Sequence, residues 1–116
     1  MIIIYHKTTC STSRKALELI RAEGYDPVVI DYMQDGWTRG QLLGLFAAAD
    51  VTPAQALRSK GTDAAERGLT GADDDTILAA MVENPALVER PFVAGPGGVR
   101  LCRPVELALQ VLKRGA

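Results

Sequence analysis

The chain has 116 residues, 47% of them hydrophobic, 23% charged and 5% aromatic, which is the common size of one domain and predicts a single domain over 1–116. Thirteen Lys and Arg against fourteen Asp and Glu leave a net charge of −1, without the basic excess of a general nucleic-acid binder. Apolar runs such as Ile77 to Val82 are too short to cross a bilayer, the start MIIIYHKTTC lacks a secretory pattern, and two cysteines make no disulfide framework, so a soluble, cytoplasmic domain is expected.

Ile2, Ile3, Ile4 and Tyr5 form a short apolar, β-rich run that predicts a strand buried on both faces. A polar loop, His6 to Thr12, leads to a helical pattern from about Ser13 to Glu23, with Ala16, Leu17, Leu19 and Ile20 on its apolar side and Gly24 as its stop. Pro27 then opens a second strand, Val28 to Tyr32. Strand, helix and strand within about thirty residues predict a parallel βαβ unit with a right-handed crossover.

The middle of the chain reads as helices. Thr38 and Gln41 make a capping box ahead of Leu42, Leu43, Leu45 and Phe46. Thr52, Pro53 and Gln55 repeat the signal for a short helix ending near Arg58. Asp73, Asp74 and Asp75 suit the positive end of a helix carrying Ile77, Leu78, Met81 and Val82, which Asn84-Pro85 closes.

After Arg90-Pro91 the pattern returns to strands. Phe92 to Ala94 and Val99 to Cys102 flank the turn Gly95-Pro96-Gly97-Gly98, and Pro104 starts a last helix through Val105, Ala108, Leu109 and Leu112. The order is βαβ, a helical insertion over about 37–88, then ββα. That predicts an α/β thioredoxin-like fold with a mixed four-stranded sheet.

Cys10 is the most informative residue. It follows the first strand and precedes the first helix, where free N–H groups and the helix dipole favour an anion. His6, Lys7, Arg14 and Lys15 add cationic character, and such surroundings lower a thiol pKa. The segment C-S-T-S-R-K excludes two common thiol motifs: Ser13 stands where a C-x-x-C needs its second cysteine, and Ala16 where a tyrosine-phosphatase-like loop needs arginine. A single-thiol site remains, with Ser11, Thr12 and Ser13 as candidate helix caps or sulfur ligands. Cys102 lies in an apolar strand and reads as a small hydrophobe, and one histidine with two distant cysteines makes no zinc site.

Nine of the thirteen cations are arginine, so position must sort them. Arg58 ends the short capped helix, Arg90 precedes Pro91 at a strand start, and Arg103 precedes Pro104 at a strand-to-helix junction. Converging on a thiolate, three guanidiniums would make a pocket for a tetrahedral oxyanion. The plain alternative is that each is a surface salt-bridging residue.

The stretches I-I-I-Y-H-K-T-T-C-S-T-S-R-K-A-L-E-L-I, A-L-R-S-K-G, E-R-P-F-V and L-C-R-P-V-E together resemble the glutaredoxin-dependent arsenate reductase family, over essentially the full length. The resemblance implies that Cys10 is the nucleophile, that Arg58, Arg90 and Arg103 bind the oxyanion, and that His6 tunes the thiol. It further implies that Ser13 hydrogen-bonds the sulfur, that Arg14 supports the substrate loop, and that Pro91 is a cis-proline facing the cysteine. Ser11 replaces the family's usual Gly, Lys15 its Asn, and Lys7-Thr8 its common Asn-Pro.

The implied reaction is reduction of arsenate to arsenite, with glutathione as co-substrate and glutaredoxin as partner, and with no bound metal or organic cofactor. One thiol cannot close its own disulfide, so an external thiol must finish the cycle. Two alternatives stay open: a monothiol glutaredoxin-like protein, reading C-S-T-S as C-x-x-S, and a non-catalytic interaction module on the same fold.

Overall fold

A computed structural model describes residues 1–114. The chain divides into two compact units, one built from Met1–Asp35 and the segment from Arg90 onward, the other from Gly36–Glu89.

The first unit carries the sheet. Its elements are β1 (Ile3–His6), α1 (Ser11–Ala22), β2 (Val28–Asp31), the single turn α2 (Tyr32–Asp35), β3 (Phe92–Gly95) and β4 (Gly98–Leu101), followed by a 3₁₀ run over Val105–Val111. The strand order is β2-β1-β3-β4, with β1 parallel to β2 and antiparallel to β3, and β3 antiparallel to β4. This is the mixed thioredoxin-like sheet that the βαβ and ββα halves predict.

Side-chain alternation sets its core. Ile2, Ile4 and His6 are buried along one side of β1, while Ile3 and Tyr5 on the other are half-buried, so β1 is not covered equally on both faces. Ile2, Ile4 and Val93 pack with Ala16 and Ile20 of α1, with Cys102, and with Ala108, Val111 and Leu112. Each fully buried Ile or Val contributes about 1.5–3 kcal/mol relative to exposure.

Several boundaries depart from expectation. The helix α1 begins at Ser11, two residues early, because Cys10 itself is the N-cap. At the sheet edge, Val28 and Val29 of β2 are exposed. That strand stops at Asp31, whose carboxylate accepts the N–H groups of Met33 and Gln34 and turns the chain into α2 at Tyr32. The last helix is 3₁₀ rather than α, beginning with the Leu107 N–H bonded to the Pro104 carbonyl. Gly95 and Gly97 press directly on it: a Cβ on Gly95 would lie 2.3 Å from the Val111 carbonyl oxygen, and one on Gly97 2.4 Å from that of Gln110.

The second unit is helical. Both capping boxes form: Thr38 and Gln41 open α3 (Arg39–Ala49), and Thr52 and Gln55 open α4 (Pro53–Ala56). The Asp73 carboxylate accepts the Thr76 N–H to start α5 (Asp74–Glu83), and Asn84 ends it before a 3₁₀ turn over Pro85–Leu87. The helix α4 stops at Ala56, short of Arg58, because Leu57 turns extended and pairs antiparallel with Val88. Leu42, Phe46, Ile77, Leu78, Met81, Leu87 and Val88 are buried in this unit. Among the described residues no helix is long and apolar enough to cross a membrane.

Candidate active site

The loop between β1 and α1 is shaped by its own backbone. The Cys10 N–H donates to the Lys7 carbonyl at 3.0 Å, and the Cys10 carbonyl accepts the Arg14 N–H at 3.0 Å as the first bond of α1. No side chain caps this helix, contrary to the capping expected of Ser11, Thr12 and Ser13. The cysteine side chain takes the place where a cap would sit.

Burial raises the Cys10 pKa, but the Ser13 backbone N–H, the Arg90 guanidinium and its charge, and the Thr12 backbone N–H outweigh it. The thiol pKa therefore lies below the ordinary cysteine value, a shift toward the thiolate. The charge that reaches the sulfur is that of Arg90, which is 93% buried, rather than that of the cation-rich loop.

His6 and Ser13 differ from the sequence expectation in how they act. Ser13 is fully buried, and its hydroxyl shares a hydrogen bond of 2.6 Å with His6 Nδ1 and accepts the Lys7 N–H at 3.1 Å. Its contribution to the sulfur is the backbone N–H. His6 is buried, and burial lowers its pKa, with Arg21 and Arg14 adding to the effect and Asp31 opposing it. The imidazole is thus neutral at pH 7 and braces the loop instead of adding positive charge. Arg14 Nη1 donates to the Thr8 carbonyl at 3.1 Å, a second brace on the same loop.

The Arg90–Pro91 peptide bond is cis, the geometry the family resemblance implies, and so is Arg103–Pro104. The Pro91 carbonyl accepts the Cys102 N–H at 2.8 Å, and Arg103 Nη1 donates to the Arg90 carbonyl at 3.0 Å. Cys10, Arg90 and Arg103 are therefore linked within the sheet unit. Arg58 belongs to the helical unit, where its Nη1 donates to Glu89 Oε1 at 2.9 Å and its Nε to the Lys60 carbonyl at 3.2 Å. Glu89 escaped sequence reasoning: E-R-P shows a carboxylate beside Arg90, but nothing local pairs it with a residue 31 positions earlier.

Cys102 is fully buried in the apolar core, and burial pushes its thiol up to about 12. It is a structural side chain, as its apolar setting predicts. Among the described residues no group of three or more His, Cys, Asp or Glu is placed to hold a metal ion. A sulfur biased toward thiolate and touched by a buried guanidinium can attack an electrophilic centre that carries negative oxygens.

The chain is similar to known proteins over most of its length. The ArsC family model matches residues 5–111. The chain is 57% identical to the arsenate reductase ArsI2 of Synechocystis over 97% of its length and 81% of that protein's. It is 39% identical to the arsenate reductase of Escherichia coli K12, over 96% of this chain and 80% of that one. The solved arsenate reductase of Vibrio cholerae superposes with a TM-score of 0.89 at 34% identity, covering 96% of this chain and 97% of its own. With the family model spanning nearly the whole sequence and the same fold in its solved relative, this chain belongs to the ArsC family.

Proposed function

We propose that the chain reduces arsenate to arsenite, with the Cys10 thiolate as nucleophile and glutathione and glutaredoxin as the source of electrons. The observation that carries this reading is the Cys10 sulfur at the start of α1, bonded by the backbone N–H groups of Ser13 and Thr12 and by Arg90. The named activity of the similar proteins supplies the substrate.

The sulfur attacks arsenic, a sulfur–arsenic bond forms, and one oxygen leaves as water. Glutathione adds to the same arsenic and displaces a second oxygen. The two thiols are then oxidised to a Cys10–glutathione disulfide as arsenic(V) becomes arsenic(III), and arsenite leaves. Glutaredoxin takes the glutathione and returns Cys10 to its thiol. No bound metal or organic cofactor enters this cycle.

Arg90 offsets the repulsion between thiolate and oxyanion, and Arg103, held to the Arg90 carbonyl, adds charge beside it. For Arg58 the anion-binding role rests on the family pattern in A-L-R alone. Arg14 supports the loop, since one of its nitrogens is already committed to Thr8.

The test is arsenate-dependent NADPH oxidation in a coupled assay with glutathione, glutaredoxin and glutathione reductase. Oxidation that needs both arsenate and Cys10 is expected. Turnover of a small mixed disulfide without any arsenate dependence would instead make this a monothiol glutaredoxin-like protein, and no turnover of either would make it an interaction module.

A further inference from the structure

We propose that Lys7 and Lys15 recognise the carboxylates of glutathione beside the Cys10 sulfur. This rests on the reading above in which glutathione supplies electrons, and it adds the groups that select that thiol from others.

Both lysines stand where the family pattern has asparagine, and both belong to the sheet unit. Backbone bonds fix Lys7 near the cysteine. Its carbonyl accepts the Cys10 N–H at 3.0 Å, closing a four-residue turn, and its N–H donates to the Ser13 hydroxyl at 3.1 Å. The two ends of such a turn lie within about 7 Å of each other. Lys15 follows on α1, whose N-cap is Cys10. At the helical rise it stands about 7 Å along the axis, and its side chain leaves tilted back toward that end. A tripeptide extends about 10 Å, so with its central sulfur at Cys10 its carboxylates come within range of a lysine.

The charges on these two lysines are uncommitted. Lys15 is exposed and Lys7 half-buried, and among the described residues neither takes part in an ion pair. Glu18, the acidic residue of α1, bonds neither of them. In the helical unit, by contrast, Arg39, Arg58 and Arg67 each face a carboxylate. The sheet unit carries nine Lys and Arg against six Asp and Glu, the helical unit four against eight. Activation of the sulfur does not draw on the lysines, since its donors are Arg90 and backbone N–H groups. An arsenic bonded to that sulfur keeps its oxygens beside the same donors. What arrives next from solvent is glutathione, which at neutral pH carries two carboxylates against one ammonium. Two unpaired ammonium groups on the rim fit that charge.

The experiment follows thiol–disulfide exchange of Cys10 in the full chain carrying Cys102→Ser, with Lys7→Gln, Lys15→Gln or both added. The Cys10 thiolate attacks one sulfur of a disulfide, a new S–S bond forms, and the other half leaves as a thiolate. Three disulfides serve as probes: anionic glutathione disulfide, neutral 2-hydroxyethyl disulfide and cationic cystamine. An exposed charge pair is worth roughly 1.4- to 5-fold. The double variant should therefore react at least about threefold more slowly with glutathione disulfide, within about twofold of the parent with the neutral probe, and no more slowly with cystamine. Lys7→Arg/Lys15→Arg should keep the parent's preference, and salt should weaken it. In coupled arsenate turnover the Gln pair should raise KM for glutathione while KM for arsenate stays within about twofold.

An unchanged rate with glutathione disulfide in the double variant would overturn the proposal. So would equal slowing of all three probes, which would make the lysines activators of the thiol. A raised KM for glutaredoxin alone would overturn it too, making them a protein-docking surface. Arsenate turnover absent from the parent while the contrast among disulfides persists would remove the arsenate reading and leave this site standing. Should Lys7→Gln fail to fold, Lys15→Gln on its exposed helix face must show the same contrast at smaller size.

Discussion

Cys10 and Cys102 belong to the same compact unit, and burial pushes both thiols upward, yet they end on opposite sides of an ordinary cysteine. Cys102 sits among Ile4, Ala16, Val93 and Val111, with the Arg100 carbonyl 3.6 Å from its sulfur, so nothing nearby solvates a thiolate by hydrogen bonding. Cys10 stands at the start of α1, where two backbone N–H groups and one guanidinium meet the sulfur. Donors aimed at the sulfur, rather than exposure alone, separate a thiol shifted toward thiolate from one held protonated in this fold.

The sharpest way to break that contrast is to remove the Cys10 thiol. Cys10→Ser should lower arsenate turnover at least about a thousandfold, because a hydroxyl at neutral pH is a far weaker nucleophile than a thiolate. Activity that survives in Cys10→Ser but disappears in Cys102→Ser would reverse the two roles.

Next in size is the loss of Arg90. A charge-assisted contact is worth about 1.5–3 kcal/mol, or roughly 10- to 150-fold. Arg90→Ala should therefore cut kcat/KM for arsenate at least about tenfold and also raise the Cys10 pKa, since the same group meets the sulfur. Arg90→Lys should restore part of the rate, keeping the charge but losing the planar fork. An alanine variant as active as the parent would show that the backbone donors suffice.

Much of this contrast could be read from residue order. A cysteine between a β-rich run and a helical pattern already places it near free N–H groups, and a cysteine beside Leu101 already looks apolar. The capping boxes were equally legible, because Thr38 and Gln41, or Thr52 and Gln55, satisfy each other within four residues. Sequence reasoning was less successful where a partner is distant. Residue order places the helix N–H groups and the nearby cations His6, Lys7, Arg14 and Lys15 beside the sulfur and names Arg90 as one of three arginines that could converge on it. Of these cations it is Arg90 that lowers the Cys10 pKa. For Ser13 the sequence offers a helix cap or a hydrogen bond to the sulfur, whereas tertiary packing directs its hydroxyl to His6 and leaves the backbone N–H for the sulfur. The last segment is 3₁₀ and lies with its backbone close against Gly95 and Gly97, a contact between chain segments that local propensity does not encode.

A smaller effect sharpens the part played by His6. Alkylation of Cys10, followed against pH in a Cys102→Ser background, should reach half its limiting rate below the usual thiol value of about 8.5. Because burial keeps the imidazole neutral, His6→Ala removes no positive charge at pH 7. It should shift that midpoint upward by less than Arg90→Ala does, acting only through loss of the Ser13 brace. A larger shift from His6 than from Arg90 would mean that an imidazolium stabilises the thiolate after all.

The smallest effect on turnover belongs to Cys102→Ala. Its thiol touches the core rather than the substrate, so kcat/KM should stay within about twofold of the parent. Removing a buried group of this size should cost on the order of 1 kcal/mol, read as a fall in Tm of about 4 °C. The folded thiol is held protonated up to about 12, whereas in the unfolded chain it ionises near the ordinary value. Between those limits the folded state binds the extra proton, so this group's stabilisation is full below the unfolded pKa and is lost as pH rises toward the folded one. Above about pH 9 the alanine variant should therefore lose stability less steeply than the parent, by at most one proton's slope of about 1.4 kcal/mol per pH unit. A folded Cys102→Ala protein with no arsenate turnover would instead make Cys102 a resolving thiol, and an internal disulfide would have to replace the glutathione step.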